Sequence, residues 1–165
     1  MFHPLILYYL LLMATRSRIG LKLKGDNILS VYHHWDGYPQ WLGVTLNEKF
    51  NTKDKVAELL DGGDISCCDS DTDWNNNKVD NHIQYYNDRG EKTEPRLDLN
   101  FDDYVSNSNA GEEFVYVFLP EDNKWECYEI NHTYDEDYNI TDTNVVSKSI
   151  PTAEKAEEFF VQNTY

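Results

Sequence analysis

From Arg18 to Lys24 the chain alternates without a break, with Ile19, Leu21 and Leu23 on one side and Arg18, Gly20, Lys22 and Lys24 on the other. Successive side chains of a strand point to opposite faces, so this period of two marks a half-buried β-strand; a helix would scatter the same apolar residues around its circumference. Gly25-Asp26-Asn27 supplies a turn, because Gly and Asn tolerate positive φ. Ile28 to Trp35 follows as a β-branched and aromatic return strand. A second ribbon lies further along. Phe114 to Leu119 is apolar on both faces, as a central strand is, and Pro120 to Lys124 makes a loop. Trp125 to Ile130 then returns, with Trp125 and Cys127 on one side and Glu126 and Tyr128 on the other. Two hairpins are the most constrained parts of the fold.

Helical spacing fills part of the interval between them. Asp36-Gly37-Tyr38-Pro39 ends the first ribbon, and Pro39 is suited to open a helix. Leu42, Leu46 and Phe50 then recur at i, i+4 and i+8 on one face. Thr52 caps a second helix striped by Val56, Leu59 and Leu60, and Gly62-Gly63 stops it. A third helix follows Thr152, with Ala153, Ala156, Phe159 and Phe160 on one face and Glu154 in its first turn. Residues 64–112 show no such order: Cys68 to Asp73 and Asn75 to Asn77 read as polar loops, with Ile83–Tyr86 and Leu97–Phe101 as short strands or turns. Thr133 to Asn144 reads as an acidic loop, followed by an edge strand over Val145 to Ile150. The expected fold is α+β: a small antiparallel sheet built from two hairpins, packed against two to three short helices, in one domain over residues 13–165.

Leu5 to Met13 is apolar but too short to cross a bilayer, which takes about 20 such residues. Basic residues follow this run rather than precede it, unlike a secretory signal. Two readings stay open for residues 1–12: an over-extended start, with Met13-Ala14-Thr15 as the true beginning, or a short apolar leader. Neither implies stable membrane insertion.

The formal charge is −16, from 30 acidic and 14 basic residues. It is unevenly placed: residues 1–99 carry 15 acids and 11 bases, residues 100–165 carry 15 acids and three bases. Such a field repels nucleic acid, whose binding requires Lys and Arg against phosphates, and suits a partner with a basic surface. With 14% aromatic residues the charge does not signify disorder. Cys67, Cys68 and Cys127 are too few and too oddly spaced for a disulfide framework, which fits a cytoplasmic location. They also lack zinc-ligand spacing. Asp69, Asp71 and Asp73 alternate as in a calcium loop, but the required Gly and Glu positions hold Trp74 and Asp80. No Walker loop, dinucleotide fingerprint or nucleophile elbow occurs, so no cofactor is expected.

Functional side chains are densest in Ser30-Val31-Tyr32-His33-His34-Trp35-Asp36-Gly37-Tyr38-Pro39. Alternation places His33 with Val31 and Trp35, toward the core, and His34 with Ser30 and Tyr32. His34 beside Asp36 has the makings of a general base; a packing histidine next to a turn is the simpler reading. A second polar cluster is Asn87-Asp88-Arg89-Gly90-Glu91. Were the two segments to meet, His34, Asp36, Asp88, Arg89 and Glu91 would form a catalytic set. Trp35 and Tyr38 are the candidate binding residues.

The run Met13-Ala14-Thr15-Arg16-Ser17-Arg18-Ile19-Gly20, followed by His34-Trp35-Asp36-Gly37-Tyr38-Pro39, resembles a family of small bacteriophage and prophage proteins. Its members place an H-W-D-G-Y-P segment after the first hairpin. Gly63-Asp64-Ile65-Ser66 and Asp88-Arg89-Gly90-Glu91 are similar to further segments of it, and the likeness extends over about residues 13–130. It implies a start at Met13 and no particular activity. His33 stands where members often have Cys, which counts against His33 as a catalytic group. The expectation is a non-enzymatic accessory protein that binds a host or viral protein in the cytoplasm of an infected cell. A small hydrolase or transferase, an acidic nucleic-acid mimic and a minor virion component are the alternatives.

Overall fold

The computed structural model describes residues 14–163, so the readings for residues 1–12 lie outside the described residues. Both expected ribbons are present. β1 (Arg16–Lys22) and β2 (Ile28–His33) pair antiparallel, closed by a short 3-10 turn in which Gly25 and Asp26 take positive φ. β6 (Glu112–Leu119) and β7 (Lys124–Tyr134) form the second ribbon, with Asn123 at φ 47 in its turn.

The small antiparallel sheet expected from these two ribbons is corrected to one mixed sheet of eight strands, ordered β4-β3-β2-β1-β6-β7-β8. β1 lies parallel to β6, which fuses the ribbons at the centre. β3 (Ile65–Thr72) and β4 (Lys78–Tyr85) form a third hairpin, and β3 touches β2 in parallel at one pair, His33 and Ile65. β5 (Arg96–Asp98) pairs with the start of β2, and β8 (Ile140–Lys148) with β7. Two readings of loop are thereby corrected. Cys68 to Thr72 belongs to β3, whose three register shifts against β4 erase the alternation that would have marked it. Most of Thr133 to Asn144 belongs to the end of β7 and the start of β8, which look like loop because these residues are largely exposed and polar.

Four α-helices flank the sheet among the described residues, against the two to three expected. Tyr38 is extended, Pro39 opens a π-helical turn (Pro39–Gly43), and this runs into α1 (Val44–Lys49). α2 (Lys53–Asp61) is capped by the Thr52 hydroxyl, which accepts from Lys55 N. The additional helix is α3 (Phe101–Asn107), capped by Asn100 with Asp102 and Asp103 in its first turn. It was hidden within residues 64–112. α4 (Ala153–Asn163) buries Ala156 and lays Phe160 against Tyr38 and Trp41.

The helices divide the core in two. On one face Ile19, Leu21, Val31, Tyr116, Phe118 and Trp125 pack under Leu42, Leu46, Val56, Leu59 and Leu60. On the other, Ile28, Val115, Val117 and Ile130 pack under Tyr104 and Val105 of α3. β1 is therefore buried on both faces, where its alternation had implied burial on one. Arg18 is tolerated inside because its guanidinium donates to the Ser30 hydroxyl (2.9 Å) and carbonyl (3.1 Å) and lies near Glu112. Burial, with Arg96 nearby, holds that guanidinium below its usual pKa.

Gly20 sits where α3 meets the β1–β6 seam. The Tyr104 hydroxyl passes it to donate to the Tyr116 carbonyl at 2.9 Å. A Cβ on Gly20 would lie 2.9 Å from that carbonyl and 3.0 Å from the hydroxyl. Gly20→Ala should therefore lower the free energy of unfolding by roughly 2 kcal/mol, the scale of an overpacked core. Tyr104→Phe should cost about 1–2 kcal/mol for the carbonyl left without its partner. Chemical denaturation of both variants checks the pair, and native-like stability of Gly20→Ala would contradict this account of the seam.

Candidate functional site

The segment after β2 is held by backbone before any side chain is considered. His34 N and Trp35 N donate to the carbonyls of Ile65 and Ser66, each at 3.0 Å, so the chain tracks β3 for two residues beyond the ladder. Asp36 then turns at φ 56. Gly37 N donates to Thr15 O at 2.9 Å, and its carbonyl accepts the buried Tyr116 hydroxyl at 2.7 Å. A Cβ at Gly37 would fall 2.7 Å from Thr15 O, so only glycine fits between β1 and the Tyr116 ring. Gly37, Tyr38 and Pro39 thus have architectural work: a close crossing, an extended link and a helix start.

His33 points inward, as its alternation with Val31 implies, and is 1% exposed. Cys68 N donates to its Nε2 at 3.1 Å, so that nitrogen is the acceptor. The ring proton then sits on Nδ1, 3.3 Å from the Ser17 hydroxyl. One neutral imidazole joins β1, β2 and β3 at the point where the β2–β3 ladder has a single pair. Burial, with His34 nearby, pushes its pKa down to about 3. It is a hydrogen-bonding strut, not a base for solvent chemistry.

His34 points to the opposite face and meets Tyr32, whose hydroxyl lies 2.7 Å from Nδ1. Burial and the neighbouring Arg16 keep its pKa below the usual histidine value. Burial raises the pKa of the Tyr32 phenol to about 12, so it stays un-ionised in this pair. Trp35 stands edge-on to the His34 ring at 4.7 Å and is 38% exposed. Burial raises the Asp36 carboxyl above the ordinary range. No hydrogen bond or ion pair joins His34 to Asp36 among the described residues. Tyr38 is half-buried against Phe160. The i, i+2 relation of Tyr32 to His34 is legible in the strand pattern; the approach of Arg16 is a product of β1–β2 pairing.

The second cluster is a buttress with an exposed tip. The Asn87 amide donates to the carbonyls of Gly62 and Thr93, and its oxygen accepts from Thr93 N and Oγ1. This ties the loop to the end of α2. Arg89 bonds Glu91 and lies over the rings of Trp74 and Tyr86, at 4.5 and 5.1 Å. Asp88 is exposed. Among the described residues no hydrogen bond or ion pair connects residues 33–39 with 88–91. The cavity of about 600 Å³ beside the loop is lined by Asn87, Glu91, Lys92, Thr93 and Glu94, with no residue of the H-W-D-G-Y-P segment.

Among the described residues no group of three or more His, Cys, Asp or Glu side chains is placed to hold a metal ion, and Cys67, Cys68 and Cys127 are free thiols. Asp73 and Asp135 close two hairpins in the same way. In each, one carboxylate oxygen accepts from backbone N–H two and four residues on (Asn75 and Asn77; Asp137 and Asn139). These bonds hold both carboxyls below their usual pKa. No helix among the described residues is long and apolar enough to cross a membrane. No protein-family model matches the chain, nor does any curated protein or solved structure.

His33→Ala should cost roughly 2–4 kcal/mol, since it opens a cavity and strands the Cys68 N–H. The folded chain binds the His33 proton more weakly than the unfolded chain does. Its contribution is therefore complete above about pH 6.5 and declines as pH falls toward 3, by at most ~1.4 kcal/mol per pH unit. His33→Gln should flatten that part of the stability–pH curve, measured by urea denaturation from pH 7 to 4. An unchanged slope would show that His33 is not the buried neutral group.

Proposed function

We propose that this chain is a non-enzymatic accessory protein of the phage type, which binds a host or viral protein with a basic surface inside the infected cell. The observation that carries this reading is where the acids fall. Glu121, Asp122, Asp135, Glu136, Asp137 and Asp142 are all exposed on the turns and outer strand of the β6–β7–β8 half of the sheet. These acids lie at both ends of β7 and on β8, where their charge favours basic partners and disfavours polyphosphates.

The hydrolase or transferase reading has less support. It needs His34, Asp36, Asp88, Arg89 and Glu91 around one substrate, yet Arg89 engages Glu91 and two aromatic rings, and His34 engages Tyr32. The H-W-D-G-Y-P segment has a sufficient explanation in folding.

Affinity purification of the full chain from infected cells, at low and at high salt, tests the proposal. The expected result is a discrete basic partner that is released as salt rises, with binding unchanged by His34→Ala. Absence of any partner at low salt, or tight salt-sensitive binding to DNA or RNA, would overturn it. Displacement of the partner by DNA would identify the nucleic-acid mimic, and recovery of the chain in purified particles the virion role.

A further inference from the structure

β8 closes one side of the sheet, and no strand pairs with its outer edge among the described residues. The two sheet edges are built differently. β4, at the far side, meets its neighbour through three register shifts and carries Asn81 at φ 54, irregularities that discourage further pairing. β8 meets β7 in eight successive pairs with one shift near its start. It contains neither Pro nor Gly, and Ile140, Thr141, Thr143, Val145 and Val146 are β-branched. Val145 and Val146 are 37% and 44% exposed. A regular, β-prone and partly apolar edge of this kind is a template for another strand.

The order of residues along β8 says which strand. Read antiparallel against itself about Val145, Asp142 falls opposite Lys148, Thr143 opposite Ser147, and Asn144 opposite Val146. Directly opposed residues of antiparallel strands point to the same face, so each match is a side-chain contact. Asp142 and Lys148 would meet on the α1–α2 face, given their partners Thr133 and Cys127 on β7. Lys148 lies 3.3 Å from Glu129 of its own chain, with 42% of its side chain exposed, so a second carboxylate can still reach it. On the other face Val145 meets Val145 beside a groove of about 320 Å³ whose lining includes Phe101, Val105 and Ile140 with the polar Asp102, Ser106 and Thr143.

We propose that β8 pairs antiparallel with β8 of a second copy of this chain, about a two-fold axis at Val145, with Asp142 of each copy facing Lys148 of the other. The sheets of the two copies become continuous, and both exposed edges are covered by one isologous contact. The net charge of −16 opposes the approach of two copies. That repulsion acts between separated charges and is screened beyond about 8 Å at physiological ionic strength, whereas the two cross-strand ion pairs are in contact. Of the acids named above only Asp142 lies in the paired stretch; the acidic turns at residues 121–122 and 135–137 lie outside it, so the dimer does not depend on the partner proposed above.

Sedimentation velocity of the full chain over a concentration series at physiological salt should show a reversible monomer–dimer equilibrium. Asp142→Lys and Lys148→Asp should each raise the dimer dissociation constant on the order of tenfold or more, because symmetry doubles every like-charge contact. The double variant Asp142→Lys/Lys148→Asp should return it close to the original value. Circular dichroism confirms folding, and if a reversal misfolds, Asp142→Asn and Lys148→Gln should each weaken the dimer in the same assay. A chain that stays monomeric throughout would overturn the proposal. So would a dimer indifferent to these substitutions, a double variant no better than the single ones, or a monomer that takes a basic peptide at β8 instead.

Discussion

The parallel pairing of β1 with β6 is the contact on which the rest of this structure depends. An isolated hairpin is at best marginally stable in water, since it has one apolar face and nothing to bury it against. Joining the two ribbons edge to edge gives a central four-stranded unit whose two inner strands are buried on both faces, and this creates the surfaces that α1, α2 and α3 cover. Parallel strands need a long crossover, and residues 23–111, β2 included, supply it between β1 and β6. Helices on both sides of the sheet follow from that crossover, as does the depth of Ile19, Tyr116 and Phe118.

Seen from this seam, the H-W-D-G-Y-P segment is the joint where the crossover leaves the sheet. Gly37 passes against Thr15, and the Tyr116 hydroxyl, reaching from β6, holds its carbonyl. His33, one residue earlier, anchors β3 through the Cys68 N–H. A run of His, Trp, Asp and Tyr attracts a catalytic interpretation because those residues serve catalysis elsewhere. Here His33 accepts from the Cys68 N–H, His34 meets the Tyr32 hydroxyl and Tyr38 packs against Phe160, and a neutral histidine can accept that backbone bond where a charged one cannot. The polar cluster of Asn87 to Glu91 follows the same logic: its amide is internal scaffolding, and its arginine is occupied by Glu91 and by aromatic faces.

The surface divides the labour differently. Residues 1–99 carry 15 acids against 11 bases, while residues 100–165, which include β6, β7 and β8, carry 15 acids against three bases. One acidic turn of the second stretch is shaped from within: Asp135 closes its hairpin through its own carboxylate, as Asp73 does in the β3–β4 turn of the first. Part of the acidity is therefore structural, and the remainder faces solvent.

Much of this was readable without coordinates. Alternation at Arg18–Lys24 and Trp125–Ile130, the stripe of Val56, Leu59 and Leu60, the Thr52 and Thr152 caps and the inward turn of His33 are local, because side-chain period and capping chemistry act within a few residues. β3, β5, α3 and the length of β8 were not readable. Register shifts and polar exposed faces remove the periodic signal, and a three-residue strand never has one. Pairing partners were also out of reach, since alternation states which face a residue takes and not which strand lies beside it. Whether His34 meets Asp36 or Tyr32, and whether Arg18 lies in solvent or in the core, depends on contacts between residues far apart in the chain. Those are decided only when β1 settles against β6.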